Sequence, residues 1–264
     1  MEQQAILPRD GGTEVRHRLD YRPPPFLVDT LRLEFDLDPA ATLVTAHLAF
    51  RRNPAAARED ARAAFVLDGE QQEVIRVALD ERTLAESRYR VTSRTLTLVD
   101  PPDAGTLTVQ SRLAPERNVA LEGLYVSTGV FCTQCEAEGF RRIMYFPDRP
   151  DVLAVYTVTL RADGAAYPVL LCNGNLVAHG VQEDGRHYAT WHDPFPKPSY
   201  LFALVAGDLD ALEDTYTTRS GRRVALRIYS TPSNLARCVH AMASLKRSFR
   251  WDEERFGREY DLDA

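Results

Sequence analysis

Cys132 and Cys135 form the one C-x-x-C pair in the sequence, and two thiols at that spacing can share a zinc ion or cycle as a disulfide. The other two of the four cysteines, Cys172 and Cys238, stand alone, so a zinc ribbon lacks its second pair. A thioredoxin-type motif would open a helix directly after a strand. Val130 and Phe131 precede the pair, but residues 136–139 offer no helical continuation. The pair therefore reads as reduced, partly buried thiols. None of the six histidines has a second one four residues away on a helix, so an H-E-x-x-H zinc motif is absent. His47 falls on the polar side of a strand pattern and His240 lies off the apolar stripe of a helix, which suits solvated or hydrogen-bonded side chains. Asn173-Gly174-Asn175 is a turn rather than a phosphate loop, and no G-x-S-x-G elbow occurs.

What remains is the segment from Cys132 to Arg142, which packs small, polar and acidic residues together without strand alternation. A rigid acidic turn follows it, Phe146-Pro147-Asp148-Arg149-Pro150-Asp151-Val152. The segment is either a binding loop or a polar loop braced by a local Glu–Arg ion pair, which at an exposed site contributes little.

The elements that must position this segment are mostly strands. Over residues 30–37, Leu31, Leu33, Phe35 and Leu37 point one way and Thr30, Arg32, Glu34 and Asp36 the other. Val44, Ala46, Leu48 and Phe50 alternate again after the turn at Asp38-Pro39, giving a hairpin with one wet face. Further strands are predicted over residues 64–67, 74–79, 95–99, 106–113, 155–161, 169–172 and 187–191. Many short strands with turn signals argue an antiparallel sandwich. Near Gly207-Asp208 the pattern changes: residues 214–218 and 224–229 flank a hairpin turn, and one long helix is predicted over residues 233–256. Ser233 suits its N-cap and Gly257 its C′ position. Leu235, Val239, Met242, Leu245, Phe249 and Phe256 form its apolar stripe.

Composition sets the outer bounds. The 264 residues are 44% apolar and 27% charged, an ordinary globular composition with one large domain or two modest ones. A net charge of −6 gives no electrostatic case for nucleic acid or an anionic membrane as partner. The longest apolar run, residues 200–206, is far too short to span a bilayer. Residues 1–20 are polar without the apolar core of a signal peptide, so a cytoplasmic location is expected.

Several ordered segments resemble the bacterial aminopeptidase N family of zinc metallopeptidases. They are Leu121-Glu122-Gly123-Leu124-Tyr125, the run C-T-Q-C-E-A-E-G-F-R from Cys132 to Arg141, and Asp148-Arg149-Pro150-Asp151-Val152-Leu153-Ala154. D-P-F-P-K-P-S-Y-L-F-A-L-V-A-G-D from Asp193 to Asp208 and W-D-E-E-R-F-G from Trp251 to Gly257 complete the set. The resemblance runs from about residue 21 onward; residues 54–105 share only the strand pattern, and residues 1–20 match nothing.

The resemblance implies a mainly β fold. Residues 1–20 would be a tail, residues 21–207 an antiparallel β-sandwich or saddle-like domain, and residues 208–264 the opening hairpin and helix of a truncated α+β, thermolysin-like catalytic domain. In that family the catalytic domain carries a G-A-M-E-N motif, H-E-x-x-H and a distal glutamate, and this sequence has none of them. No catalytic or metal-ligating residue is therefore expected in the chain. Zinc would belong to the complete enzyme, and the chain alone is expected to be inactive. The helix stripe should lack a partner and be partly exposed. The family's Q-x-E pattern falls on Gln134 and Glu136, which implies that Glu136 binds the α-ammonium of a peptide and that Gln134 lines the first side-chain pocket. The expected partners are peptides with a free N-terminus and the missing catalytic domain. The alternatives are a stand-alone, non-catalytic protein-binding β-sandwich and, more remotely, a redox or zinc role for Cys132 and Cys135.

Overall fold

Residues 17–56 and 63–263 are described by a computed structural model. Of the expected tail over residues 1–20, residues 1–16 lie outside the described residues, and Arg18–Asp20 forms a single 3-10 turn.

The alternation read from residues 30–37 appears as β1 (Phe26–Asp36), with Leu31, Leu33 and Phe35 fully buried. It forms a hairpin with β2 (Thr42–Arg52), whose Val44, Ala46, Leu48 and Phe50 face the same core. Asp38 makes the turn, its Oδ1 accepting from the amides of Ala40 and Ala41 at 2.8 and 2.9 Å. Beyond β2 the sheet continues through β8 (Ala104–Leu113), β4 (Glu73–Leu79) and the short β5 (Arg82–Thr83). The other edge of β1 pairs with β11 (Leu153–Asp163), followed by β14 (Arg186–Pro198) and the edge strand β13 (Asn175–Val181). The β1–β11 pair runs parallel within an otherwise antiparallel eight-stranded sheet, Leu33 lying opposite Val158. The long intervening chain allows this, because a parallel partner cannot be reached through a tight turn.

Two smaller sheets cover the apolar face. One has four strands in the order β12 (Val169–Cys172), β15 (Leu204–Gly207), β10 (Val130–Gln134) and β9 (Gly123–Ser127). The other has three, β3 (Phe65–Asp68), β7 (Thr95–Leu98) and β6 (Tyr89–Val91). A single cluster of buried side chains runs between the sheets, from Phe26 to Ala206. Each large apolar side chain in it contributes about 1.5–3 kcal/mol relative to exposure.

A separate apolar cluster belongs to the last part of the chain. β16 (Asp210–Thr217) and β17 (Arg223–Ser230) pair as a hairpin, and α1 (Cys238–Phe256) lies on it. The helix starts later than its sequence pattern predicts. Pro232–Arg237 is a 3-10 turn in which Asn234 bonds back to Thr231 through both its amide and its side chain, so Ser233 is not the cap of α1. Its end falls as expected, with Gly257 left-handed at φ 65° and its amide on the Glu253 carbonyl.

The helix stripe finds a partner within the chain. Met242 is buried, and Leu245 and Phe249 pack on Val224, Leu226, Tyr216 and Ile228 of the hairpin. Val239 remains exposed, as do Trp251 and Phe256, which meet edge to face away from that contact. The stripe is thus partly exposed, but the hairpin covers more of it than its pattern alone suggested. Buried Glu253 stitches the unit together by accepting from Tyr216 Oη at 2.9 Å and from the Arg219 amide at 3.3 Å. Among the described residues no helix is long and apolar enough to cross a membrane.

Candidate functional site

Gln134 and Glu136 stand where β10 leaves its sheet. Thr133 is the last residue tied to β15, its Oγ1 receiving the Leu204 amide at 2.8 Å and donating to the Leu204 carbonyl at 3.2 Å. Beyond it the chain turns back on itself, the Gly139 amide reaching the Cys135 carbonyl at 2.7 Å. Gly139 is required by a close approach: a Cβ there would lie 2.2 Å from the Gln134 carbonyl oxygen. Inside this tight loop Cys135 and Phe140 point into the core while Gln134, Glu136 and Ala137 point outward. Phe140 anchors the return limb, its ring 5.2 Å from Phe202 and 5.4 Å from Phe146. Gln134 Nε2 donates to the Glu136 carbonyl at 3.1 Å, and the Glu136–Ala137 peptide is cis. The two side chains singled out by the Q-x-E pattern therefore emerge side by side at one exposed tip.

Two arginines brace the loop from behind, Arg141 half-buried and Arg142 buried. Arg141 donates through Nε to Asp148 Oδ2 at 2.9 Å and through Nη2 to the Asp148 carbonyl at 3.1 Å. Its Nη1 lies 3.4 Å from Glu138 and 3.8 Å from Asp68. Burial disfavours the Arg141 charge, but the hydrogen bond to Asp148 and the neighbouring carboxylates outweigh it and hold the guanidinium above its ordinary range. Burial likewise pushes the Asp68 carboxyl up, against the pull of Arg141. Arg142 faces the other way, donating to Gln71 Oε1 at 2.6 Å and lying 3.6 and 3.2 Å from Glu70 and Glu122.

A local Glu–Arg brace, one of the two readings of this segment, is present, and its acid is Glu138. Among the described residues the carboxylate of Glu136 has no hydrogen bond and no ion pair, although it is exposed and next to a loop with two arginines. A groove of about 860 Å³ opens beside Arg141, Asp148, Arg149 and Tyr21, but neither Gln134 nor Glu136 lines it. Its chemistry is internally paired: Arg149 grips Asp151 through two nitrogens at 2.8 and 2.7 Å, and Tyr21 donates to the same carboxylate.

All four cysteines are free. Burial raises the Cys132 thiol and, much more strongly, that of Cys135, whose neighbours Asp148 and Cys172 add to the effect. Both are thus poorly disposed to act as thiolates at neutral pH. The histidines are dispersed: His47 Nδ1 lies 3.0 Å from Thr108 Oγ1, His192 Nδ1 3.0 Å from Thr157 Oγ1, and His187 Nε2 2.7 Å from the Tyr167 carbonyl. Among the described residues no three His, Cys, Asp or Glu side chains converge as a metal site would require.

Residues 37–201 match the family model described as the Peptidase M1 N-terminal domain. The chain belongs to the M1 peptidase family. An aminopeptidase N of Caulobacter vibrioides is 54% identical over 244 residues, covering 92% of this chain and 28% of that protein. The aminopeptidase N of Escherichia coli is 48% identical over 250 residues, again 28% of its own length. The chain thus spans a little over a quarter of the curated M1 relatives it matches. A crystal structure of Legionella pneumophila aminopeptidase A in complex with aspartic acid superposes with a TM-score of 0.89 at 36% identity, over 95% of this chain and 29% of that one. An M1 zinc metallopeptidase from Deinococcus radiodurans, bound to a Tyr-Ser-Ala substrate, gives a TM-score of 0.75 at 17% identity, over 92% of this chain and 56% of its own, which shows the fold alone. These M1 relatives favour the aminopeptidase reading of the sequence over a stand-alone binding module.

Proposed function

We propose that this chain is the N-terminal part of a zinc-dependent aminopeptidase, and that its Q-x-E loop receives the free N-terminus of a peptide. An aminopeptidase has to tell a terminal ammonium from an internal amide, and a carboxylate held at the ammonium's position does so directly. The observation that carries the proposal is the state of Glu136: an exposed carboxylate without a partner, on a rigid loop whose arginines are committed to other acids. Gln134 beside it would contact the first side chain of the substrate. Peptides with free N-termini are the substrate class, in keeping with the amino-acid and peptide ligands of the two solved relatives.

The described residues do not fit a zinc ion. The metal, its ligands and the general base would therefore be supplied by a catalytic domain outside this chain. The 264 residues alone are expected to show no turnover of aminoacyl-nitroanilides with or without added zinc. On the same view residues 21–207 form the N-terminal β domain and residues 208–264 begin the catalytic one, a division supported by the separate apolar cluster of the hairpin and α1. A cytoplasmic setting agrees with the four free thiols.

The test is Glu136→Gln in the complete enzyme. Removing one member of a desolvated charge pair costs about 2–5 kcal/mol, so kcat/KM for a free-amine substrate should fall by roughly 30- to several-thousand-fold. A value within about threefold of the parent, with lowered thermal stability, would show that Glu136 is structural.

A further inference from the structure

Asp148 does not touch Glu136, yet every polar group it has is bound to something that frames the Q-x-E loop. Oδ2 accepts from the backbone amide of Arg141 at 3.2 Å and from its Nε at 2.9 Å. Oδ1 accepts from Ser199 Oγ at 2.5 Å, on the segment that links β14 to β15. The carbonyl accepts from Arg141 Nη2, and the amide donates to Asp68 Oδ2 at the end of β3. The side chain is only 1% exposed. Arg141, fixed in this way, reaches back 3.4 Å to Glu138 on the return limb of the loop, and its carbonyl receives the Glu70 amide at 2.9 Å. The carboxylate therefore ties the return limb of the loop to the link between β14 and β15, the Asp148 amide ties it to the end of β3, and the loop's outward tip is Glu136.

We propose that Asp148 is a positioning residue for amine recognition, setting the place of the Glu136 carboxylate through Arg141 and Glu138. The proposal deepens the function proposed above and rests on it. Asp148 needs its charge for this role. Its bonds to the guanidinium are charge-assisted and about twice as strong as neutral ones, and they hold Arg141 against the competing pull of Asp68 and Glu138. A neutral amide of the same shape keeps the volume but weakens the hold on Arg141. A lysine in place of Arg141 keeps a charge but lacks the planar fork that reaches Asp148 and Glu138 together.

The experiment compares two competitive inhibitors of the complete enzyme: an amino-acid hydroxamate and the same hydroxamate without its α-amine. The variants are Asp148→Asn, Arg141→Lys and, as the mildest, Ser199→Ala, with Glu136→Gln as control. In Asp148→Asn and Arg141→Lys the inhibition constant for the amine-bearing compound should rise about tenfold, while that for the amine-free compound stays within about twofold. If Asp148→Asn does not fold, Arg141→Lys and Ser199→Ala carry the same comparison, with a smaller selective rise expected for Ser199→Ala. Equal weakening of both inhibitors, or no change in either, would overturn the positioning role. Should Glu136→Gln itself fail to separate the two inhibitors, the amine-site assignment falls. Selective loss in Glu136→Gln without selective loss in the other variants removes the proposal for Asp148 alone.

Discussion

Arg141 and Glu136 share one tight loop and do not pair: the guanidinium is bound to Asp148 at 2.9 Å, leaving the Glu136 carboxylate exposed. An exposed pair with Glu136 would gain only about 0–1 kcal/mol, so the buried Asp148 outcompetes Glu136 for the guanidinium. Here the arginine is held below the loop by a buried partner. The consequence is a negative charge presented outward on a backbone that cannot easily move.

The rigidity of that backbone can be measured through Gly139. A Cβ at this position meets the Gln134 carbonyl oxygen at 2.2 Å and the Gly123 nitrogen at 3.0 Å, both of them backbone atoms that yield only by moving strands. Gly139→Ala is expected to lower stability by about 1–3 kcal/mol, the cost of forcing extra volume into a packed site. Urea unfolding of the chain reads this directly, and an unchanged midpoint would mean that the loop is soft.

Arg142 supplies the second brace. Its side chain is 3% exposed and faces Gln71, Glu70 and Glu122. Arg142→Met takes this base from Glu70 and Glu122, and breaking a buried pair costs about 3–5 kcal/mol. Denaturant titration should show a loss of that size, and a loss below about 1 kcal/mol would contradict the role given to it.

Met242 tests the division of the chain. It is buried in the cluster formed by the β16–β17 hairpin, α1 and Tyr260, so Met242→Ala should cost that cluster about 2–5 kcal/mol. Hydrogen exchange is expected to speed up in β16, β17 and α1 while β1, β2 and β8 keep their protection. Uniform loss across the chain would show one cooperative unit.

Acid should weaken the fold through His47. Burial, aided by Arg32 and Arg76 and opposed by Glu34, holds its imidazole below the ordinary range. The unfolded chain therefore takes up the proton first. The contribution to stability is complete above about pH 6.5 and is lost as pH falls from there through the folded-state value. His47→Gln should flatten the difference in urea midpoint between about pH 8 and about pH 5, the range in which imidazole titrates. A parent-like slope in the variant would assign the acid sensitivity elsewhere.

The strands with one dry face were legible because their side chains alternate: β1 and β2 lie where Leu31 to Leu37 and Val44 to Phe50 placed them. β13 was not, since most of its side chains are exposed on both faces at the sheet edge and no alternation survives. β10 was hidden by the polar run Cys132, Thr133 and Gln134, whose pairing to Leu204 depends on a hydroxyl rather than on apolar burial. The parallel β1–β11 register joins segments far apart in the chain, which no local period encodes. At the candidate site, residue type pointed to a Glu–Arg brace, but two glutamates stand near two arginines and only the fold decides that Glu138 takes Arg141. The acidic turn around Asp148 was visible, whereas its bond to Ser199 depends on strand packing.

If Glu136 receives the substrate's ammonium, a crystal structure of the complete enzyme with an amino acid bound will show the contact. The α-nitrogen is expected at about 2.7–2.9 Å from a Glu136 carboxylate oxygen, the distance of a charge-assisted hydrogen bond. An ammonium bound elsewhere, with Glu136 turned onto Arg141 or Arg142, would contradict it.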